Sequence, residues 1–149
     1  MSSKRFTLSS VATFKDLPRE ALRLLEDRLQ PIHIQRGDNV VRQGEAADSL
    51  YVVVSGRFAV EVGGYSGAVA EITRGSTIGE IAFFAGGNRT ATVRAIRDGI
   101  VVRLTRADFD AISENSSAVW AAITATLAER LAAETRRAAA MNNLSLIHI

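Results

Sequence analysis

No cysteine occurs in this chain, which excludes a disulfide scaffold, a thiolate metal site and a cysteine nucleophile. Histidine is scarce as well: His33 and His148 are too few for a histidine-rich metal site. Charge of one sign is lacking, because a formal net charge of +2 is far from the basic stripe that nucleic acid selects. No apolar run approaches the roughly 18 residues that a membrane span needs, and the opening MSSKRFTLSSVATF has no signal-peptide core. A GxSxG elbow, GxGxxG, the GxxxxGK[ST] phosphate loop and a carboxylate cluster for acid–base or metal work are all missing. These absences predict a soluble, cytoplasmic, non-enzymatic protein with no cofactor, no membrane span and no direct contact with nucleic acid.

What is present fits one domain, since 149 residues bury a single core without a staple. Residues 1–10 are polar and read as a flexible N-terminus, residues 11–140 as the domain, and 141–149 as a tail. LPREALRLLEDRL predicts an amphipathic helix with Pro18 in its first turn and Leu17, Ala21, Leu24, Leu25 and Leu29 on one face. Between about 32 and 105 the pattern changes to short β-type runs: IHIQ, NVVRQ, LYVVV, GRFAVEV, GAVAEIT, TATVRAI and IVVRLT. Turns are expected between them, including SG at 55–56 and RDG at 97–99. Even spacing without helical crossovers predicts an antiparallel sandwich or barrel, so the class is α+β and mainly β.

The helical period returns at RADFDAI (106–112) and SSAVWAAITATLAERLAAETRRAA (117–140). Trp120, Ile123, Leu127 and Leu131 make a stripe on the long helix, which either packs on its own domain or pairs with a second copy in a dimer. The terminal NNLSLIHI follows no helical pattern and reads as a truncation point or an appended sequence.

Chemistry concentrates in TIGEIAFFAGGNRTATV, residues 77–93, where one Glu and one Arg stand among glycines and apolar residues. Charges avoid interiors unless they are paired or bind something. Gly79 admits a ligand close to the backbone, and the helical turn after it offers unpaired N–H groups. Arg89 adds a planar fork suited to phosphate oxygens, and Glu80, which only accepts, suits a ribose hydroxyl. One cation, one acceptor and a row of amides specify a sugar phosphate of low charge. The alternative is a structural ion pair between Glu80 and Arg89. Gly44 and Gly56 read as turn residues, and His33 as a surface or half-buried histidine.

The stretch I-G-E-I-A-F-F, A-G-G, N-R-T-A-T-V resembles the phosphate-binding cassette of the cyclic nucleotide-binding domain family, and the likeness extends over about residues 14–135 through RGDNVVRQGEAADSLYVVVSGRFAV. The resemblance implies an antiparallel β-roll, like a jelly-roll barrel, flanked by an N-terminal helix and C-terminal helices. It implies a sensor of cAMP or cGMP in which Glu80 takes the ribose 2′-OH, Arg89 the exocyclic phosphate oxygens, and Gly79, Ile81 and Ala82 the backbone contacts. Thr90 leaves the base open. The departures are Ile78 for Phe and Asn88 for Pro. A base cap is expected from the C-terminal helix at Thr124, Leu127 and Arg130. The output is expected from an effector domain outside this chain, covalently attached or separate; the rival is a dimerisation or docking module that has lost its ligand.

Overall fold

A computed structural model of the chain describes residues 8, 14, 15, 17–64 and 66–117, and beyond them 120, 121, 124, 125, 128, 129, 132 and 136. The β-type runs pair antiparallel throughout, in one six-stranded sheet. Its strands are β1 (Gln30–Ile34), β2 (Asn39–Val41), β3 (Ser49–Glu61), β4 (Ala70–Ile72), β5 (Thr77–Ile78) and β6 (Thr92–Thr105). The long strands β3 and β6 pair with each other. β6 also holds β1 and β2, and β3 holds β4 and β5. Helix α1 (Arg19–Glu26) precedes the sheet, α2 (Glu80–Ala85) interrupts it, and α3 (Arg106–Asn115) follows it. The α+β, mainly β class with flanking helices is therefore as expected.

Strand boundaries differ from the sequence reading in an instructive way. LYVVV and GRFAVEV belong to the single strand β3, and TATVRAI and IVVRLT to the single strand β6, so SG and RDG are not turns between strands. Their glycines serve close approach instead. A Cβ on Gly56, where φ is +103°, would stand 2.8 Å from the Gly99 Cα, and one on Gly99 would stand 2.5 Å from the Ser55 carbonyl oxygen. Around this contact the pairing register shifts between Val53 and Ser55, Ser55 and Arg57, and Arg57 and Phe58. Such bulges bend a strand pair and sharpen its twist, which lets one ribbon curl into a roll.

The bend divides the apolar residues into two clusters. Leu50, Val52, Val102 and Leu104 meet the helices through Leu25, Phe83 and Phe109. Val53, Phe58, Ile78, Val93, Ala95 and Val101 fill the inside of the roll. Neighbours such as Val52 and Val53 part to different clusters because successive strand side chains point to opposite faces.

On α1 the buried residues are Ala21, Leu22 and Leu25, while Leu24 is 41 % exposed. Either face satisfies a helical period, and docking against the sheet and α3 selected the one with Leu22. Pro18 is the N-cap of this helix and lies just outside its first turn. α3 runs three residues past its expected end and is capped by Thr105, whose Oγ1 accepts from the Asp108 amide at 3.2 Å. Beyond it, the described residues from Ser117 to Arg136 are helical, as expected, and exposed. Of the proposed stripe only Trp120 is described, and it is 55 % exposed. Ile123, Leu127, Arg130 and Leu131 lie outside the described residues, as do residues 1–7 and the tail 141–149.

Candidate ligand-binding site

β5 delivers Ile78 to the roll interior, and the chain then turns at Gly79, whose φ of +74° is a left-handed conformation that favours glycine. That turn starts α2. Phe83 enters the helical cluster, and Glu80, one turn earlier, is 8 % exposed against a cavity. Gly86, also left-handed, ends the helix with its amide on the Ala82 carbonyl at 2.9 Å. The returning loop is fastened to residues 44–47: the Ala47 amide donates to Gly87 O (3.1 Å), the Arg89 amide to Glu45 O (2.7 Å) and the Gly44 amide to Arg89 O (2.9 Å). Two runs far apart in sequence thus hold the Arg89 backbone in place.

The Arg89 residue is only 5 % exposed. Its Nη2 donates to Ser49 O at 2.5 Å and its Nη1 to Gly79 O at 3.2 Å, with the guanidinium carbon 6.0 Å from the Tyr51 ring centroid. A Cβ on Gly79 would lie 2.1 Å from Nη1, so that glycine makes room for the arginine of its own site. Burial pushes the guanidinium below its ordinary value, opposed by Tyr51, Asp48 and Glu45. Arginine nevertheless keeps its charge at neutral pH. The ion pairs among the described residues join Arg28 to Asp108, Arg57 to Glu71, Arg94 to Glu61 and Arg106 to Asp110.

A cavity of about 480 Å³ opens between the cassette and the end of the roll. Its size falls within the range usual for small-molecule sites. Gly79, Glu80, Ala82, Arg89 and Thr90 all line it, and Val41, Val60, Ile72 and Val93 form its apolar wall. Ile81 supplies backbone to the first turn of α2, where amides have no intrahelical acceptor. Thr124 is not among the lining residues: it is exposed, and its hydroxyl donates to the Trp120 carbonyl at 2.8 Å. Among the described residues no cluster of potential metal ligands occurs, and no helix is long and apolar enough to cross a membrane.

Sequence reasoning missed the supports of Arg89, because Ser49 acts through its carbonyl and Tyr51 read only as a strand residue. It also missed an aromatic chain leading away from the site. Phe83 and Phe84 of α2 lie 5.1 Å apart, each about one ring contact from Phe109 of α3 at 5.5 and 5.3 Å, and Phe109 lies 6.4 Å from Trp120. Arg106 closes the junction: its guanidinium donates to the Phe83 carbonyl and stands 4.4 Å from the Phe83 ring centroid.

The chain belongs to the cyclic nucleotide-binding domain family, whose model matches residues 31–116. An uncharacterized NTE family protein of Mycobacterium tuberculosis is 34 % identical over 127 residues, which are 85 % of this chain and 22 % of that protein. The chain therefore spans about a fifth of the length of the curated relatives it matches first, at 22 %. Among solved structures, the N-terminal domain of a transcriptional regulator from Streptomyces coelicolor is similar with a TM-score of 0.76 and 26 % identity, over 85 % of this chain and 93 % of that one. The regulatory domain of Toxoplasma gondii PKA, crystallised with cAMP, is similar with a TM-score of 0.65 and 26 % identity, over 70 % of this chain and 41 % of that one.

Proposed function

We propose that this member of the family is a regulatory sensor domain that binds a 3′,5′-cyclic purine nucleotide, cAMP or cGMP, and signals through its C-terminal helix. The observation that carries the reading is a buried cation and a buried acceptor, Arg89 and Glu80, on the wall of one cavity of nucleotide size. A buried charge is costly unless it is compensated, and a phosphodiester supplies one counter-charge. Arg89 offers exocyclic phosphate oxygens the guanidinium donors that Gly79 and Ser49 leave over. Glu80 accepts from the ribose 2′-OH, the amides of Ile81 and Ala82 add donors, and Thr90 lies beside them. The base then rests on the valine and isoleucine wall of the roll.

Signalling follows from where α2 is attached. A ligand that draws Glu80 and the first turn of α2 toward itself shifts Phe83 and Phe84 against Phe109, and Phe109 against Trp120. The helical segment from 117 to 136 is thereby biased between two positions, as a population shift requires. Thr124, Leu127 and Arg130 cap the base in the ligand-bound position, and two copies pair through the same helix. The effector is a further domain, attached as the length of the mycobacterial relative suggests or separate, and the domain works in the cytoplasm.

One observation favours a second reading, a docking module without a ligand. Arg89 already meets two backbone carbonyls, so the site is partly self-satisfied. Thermal unfolding separates the two readings. Ligand at ~100 times its dissociation constant adds about 2.7 kcal/mol to stability, so cAMP or cGMP raises the midpoint. An unmoved midpoint with both nucleotides at millimolar concentration overturns the sensor reading and leaves the docking module.

A further inference from the structure

Arg89 stands on the cavity wall, and much of what holds its side chain comes from β3. Its Nη2 donates to the Ser49 carbonyl and its guanidinium carbon lies 6.0 Å from the Tyr51 ring centroid, while Nη1 reaches the Gly79 carbonyl of the cassette. Tyr51 is itself firmly placed. Its backbone pairs with Arg103 of β6 on one side and Ile78 of β5 on the other, and its half-buried side chain packs against the roll cluster. Arg89 lines the cavity and Tyr51 does not, so the ring meets the guanidinium from outside the ligand space.

An arginine side chain has many rotamers, and a site in which it wanders must order it when the ligand arrives, which weakens binding. A carbonyl holds a guanidinium by occupying an N–H donor, the group that a phosphate oxygen needs. An aromatic face attracts the cation through the ring quadrupole and leaves those donors unoccupied. We propose that Tyr51 is a positioning residue of this site: its ring face fixes the Arg89 guanidinium in the empty cavity, ready for an anionic ligand group, and acts on the ligand only through Arg89. The inference rests on the nucleotide reading given above. It assigns the ring, and not the phenolic hydroxyl, the decisive part.

The test is calorimetric titration of cAMP and cGMP into the intact chain and its Tyr51→Phe, Tyr51→Leu, Arg89→Ala and doubly substituted Tyr51→Leu, Arg89→Ala variants. Tyr51→Leu is expected to bind the tighter nucleotide roughly 3- to 10-fold more weakly, the worth of ordering one rotamer-rich side chain. Tyr51→Phe keeps the ring and binds within about twofold of the parent at that scale. With Arg89 already replaced by Ala, Tyr51→Leu costs no further affinity. Affinity unchanged in Tyr51→Leu overturns the assignment, and so does an equal loss with and without Arg89, which is what a merely structural role in the roll gives. Because Tyr51→Leu also removes packing and lowers the melting temperature, a second arm keeps the shape: the Tyr51→Phe variant with its introduced ring progressively fluorinated. Fluorine draws charge from the ring face, so affinity is expected to fall as fluorines are added, and equal affinity along the series overturns the assignment. Arg89→Ala keeps the two levels apart. If the parent binds neither nucleotide, or Arg89→Ala binds as tightly as the parent, the nucleotide reading fails and the Tyr51 assignment with it; if Arg89→Ala weakens binding while Tyr51→Leu does not, only the Tyr51 assignment fails.

Discussion

The two apolar clusters use the same pair of long strands yet are restrained in different ways. Inside the roll, Val53, Phe58, Ile78, Val93, Ala95 and Val101 all come from strands, so a ladder of backbone hydrogen bonds positions each of them. On the helical side, Leu25, Phe83 and Phe109 come from three separate helices, outside the strand ladder, and pack on the sheet through their side chains. A packed helix has alternative positions at small cost, whereas a strand that slips by one residue turns its core face outward. The candidate site lies across this divide: Ile78 belongs to the roll, Phe83 to the helices, and Glu80 stands between them. On the proposed sensor reading, the roll is the fixed wall against which a ligand is held, and the helical cluster is the part that a ligand moves.

The strongest way to break this contrast is to empty each cluster in turn. Phe58→Ala in the roll is expected to cost about 3–5 kcal/mol, a large part of the stability of a domain this size. Phe109→Ala is expected to cost less, because that cluster opens to solvent at Trp120. It is also expected to abolish any ligand-induced change in the fluorescence of Trp120, the single tryptophan of the chain. Equal losses of stability, with the fluorescence response kept in Phe109→Ala, show that the two clusters form one unit.

Next in size is the charge at the divide. Arg89→Ala removes the buried cation that lines the cavity and, on the proposed reading, is expected to weaken nucleotide binding by on the order of 3–5 kcal/mol, a hundredfold or more at ~1.4 kcal/mol per decade. Arg89→Lys keeps the charge without the fork and is also harmful. Glu80→Gln, which still accepts a hydrogen bond, loses less. Titration calorimetry ranks the three variants, and unchanged affinity in Arg89→Ala removes the phosphate assignment.

Gly79→Ala sharpens the same point at smaller cost. A side chain at φ +74° is strained, by about 1 kcal/mol, and its Cβ displaces the Arg89 guanidinium. The expected result is a modest fall in melting temperature with a disproportionate loss of nucleotide affinity. Proportionate losses assign Gly79 to backbone geometry alone.

The smallest effect belongs to an arginine pair outside the site. The Arg94 guanidinium, bonded to Glu61 at 2.7 and 3.2 Å, holds that carboxyl below the usual glutamate range. A carboxyl lowered on folding contributes its stability above the unfolded value and loses it as pH falls through the folded one. Solvent screens this exposed pair, so Glu61→Gln is expected to leave the neutral-pH melting temperature nearly unchanged. Carbon-detected NMR titration checks the direction, and a Glu61 midpoint at or above that of a free glutamate contradicts it.

Much of the site was legible because its chemistry is local. Gly79, Glu80, Ala82, Arg89 and Thr90 fall within twelve residues, and a short helix followed by a fastened loop brings them to one cavity. The supports of Arg89 were not legible. Ser49 contributes a carbonyl, which every residue type has, and Tyr51 reaches the guanidinium only because β3 passes behind the cassette. Thr124 carried no signal that its hydroxyl bonds within its own helix, since that depends on a rotamer.

Alternation, turn chemistry and the absence of crossovers determined from sequence alone that this is an antiparallel, mainly β domain with flanking helices. They also singled out a lone Glu and a lone Arg in an apolar, glycine-broken stretch, which the fold brings to one cavity. These are properties of runs of ten or so residues, and the periods of strand and helix are fixed by backbone geometry. Tertiary structure decided that SG and RDG are crossing points within two continuous strands, that Leu22 and not Leu24 is buried, and that Gly79 accommodates Arg89. Each of these depends on which distant backbone lies within a few ångströms: Gly99 beside Gly56, the sheet and α3 beside α1, and the Arg89 fork above Gly79. Sequence sets the period of a face, but only packing sets what that face meets.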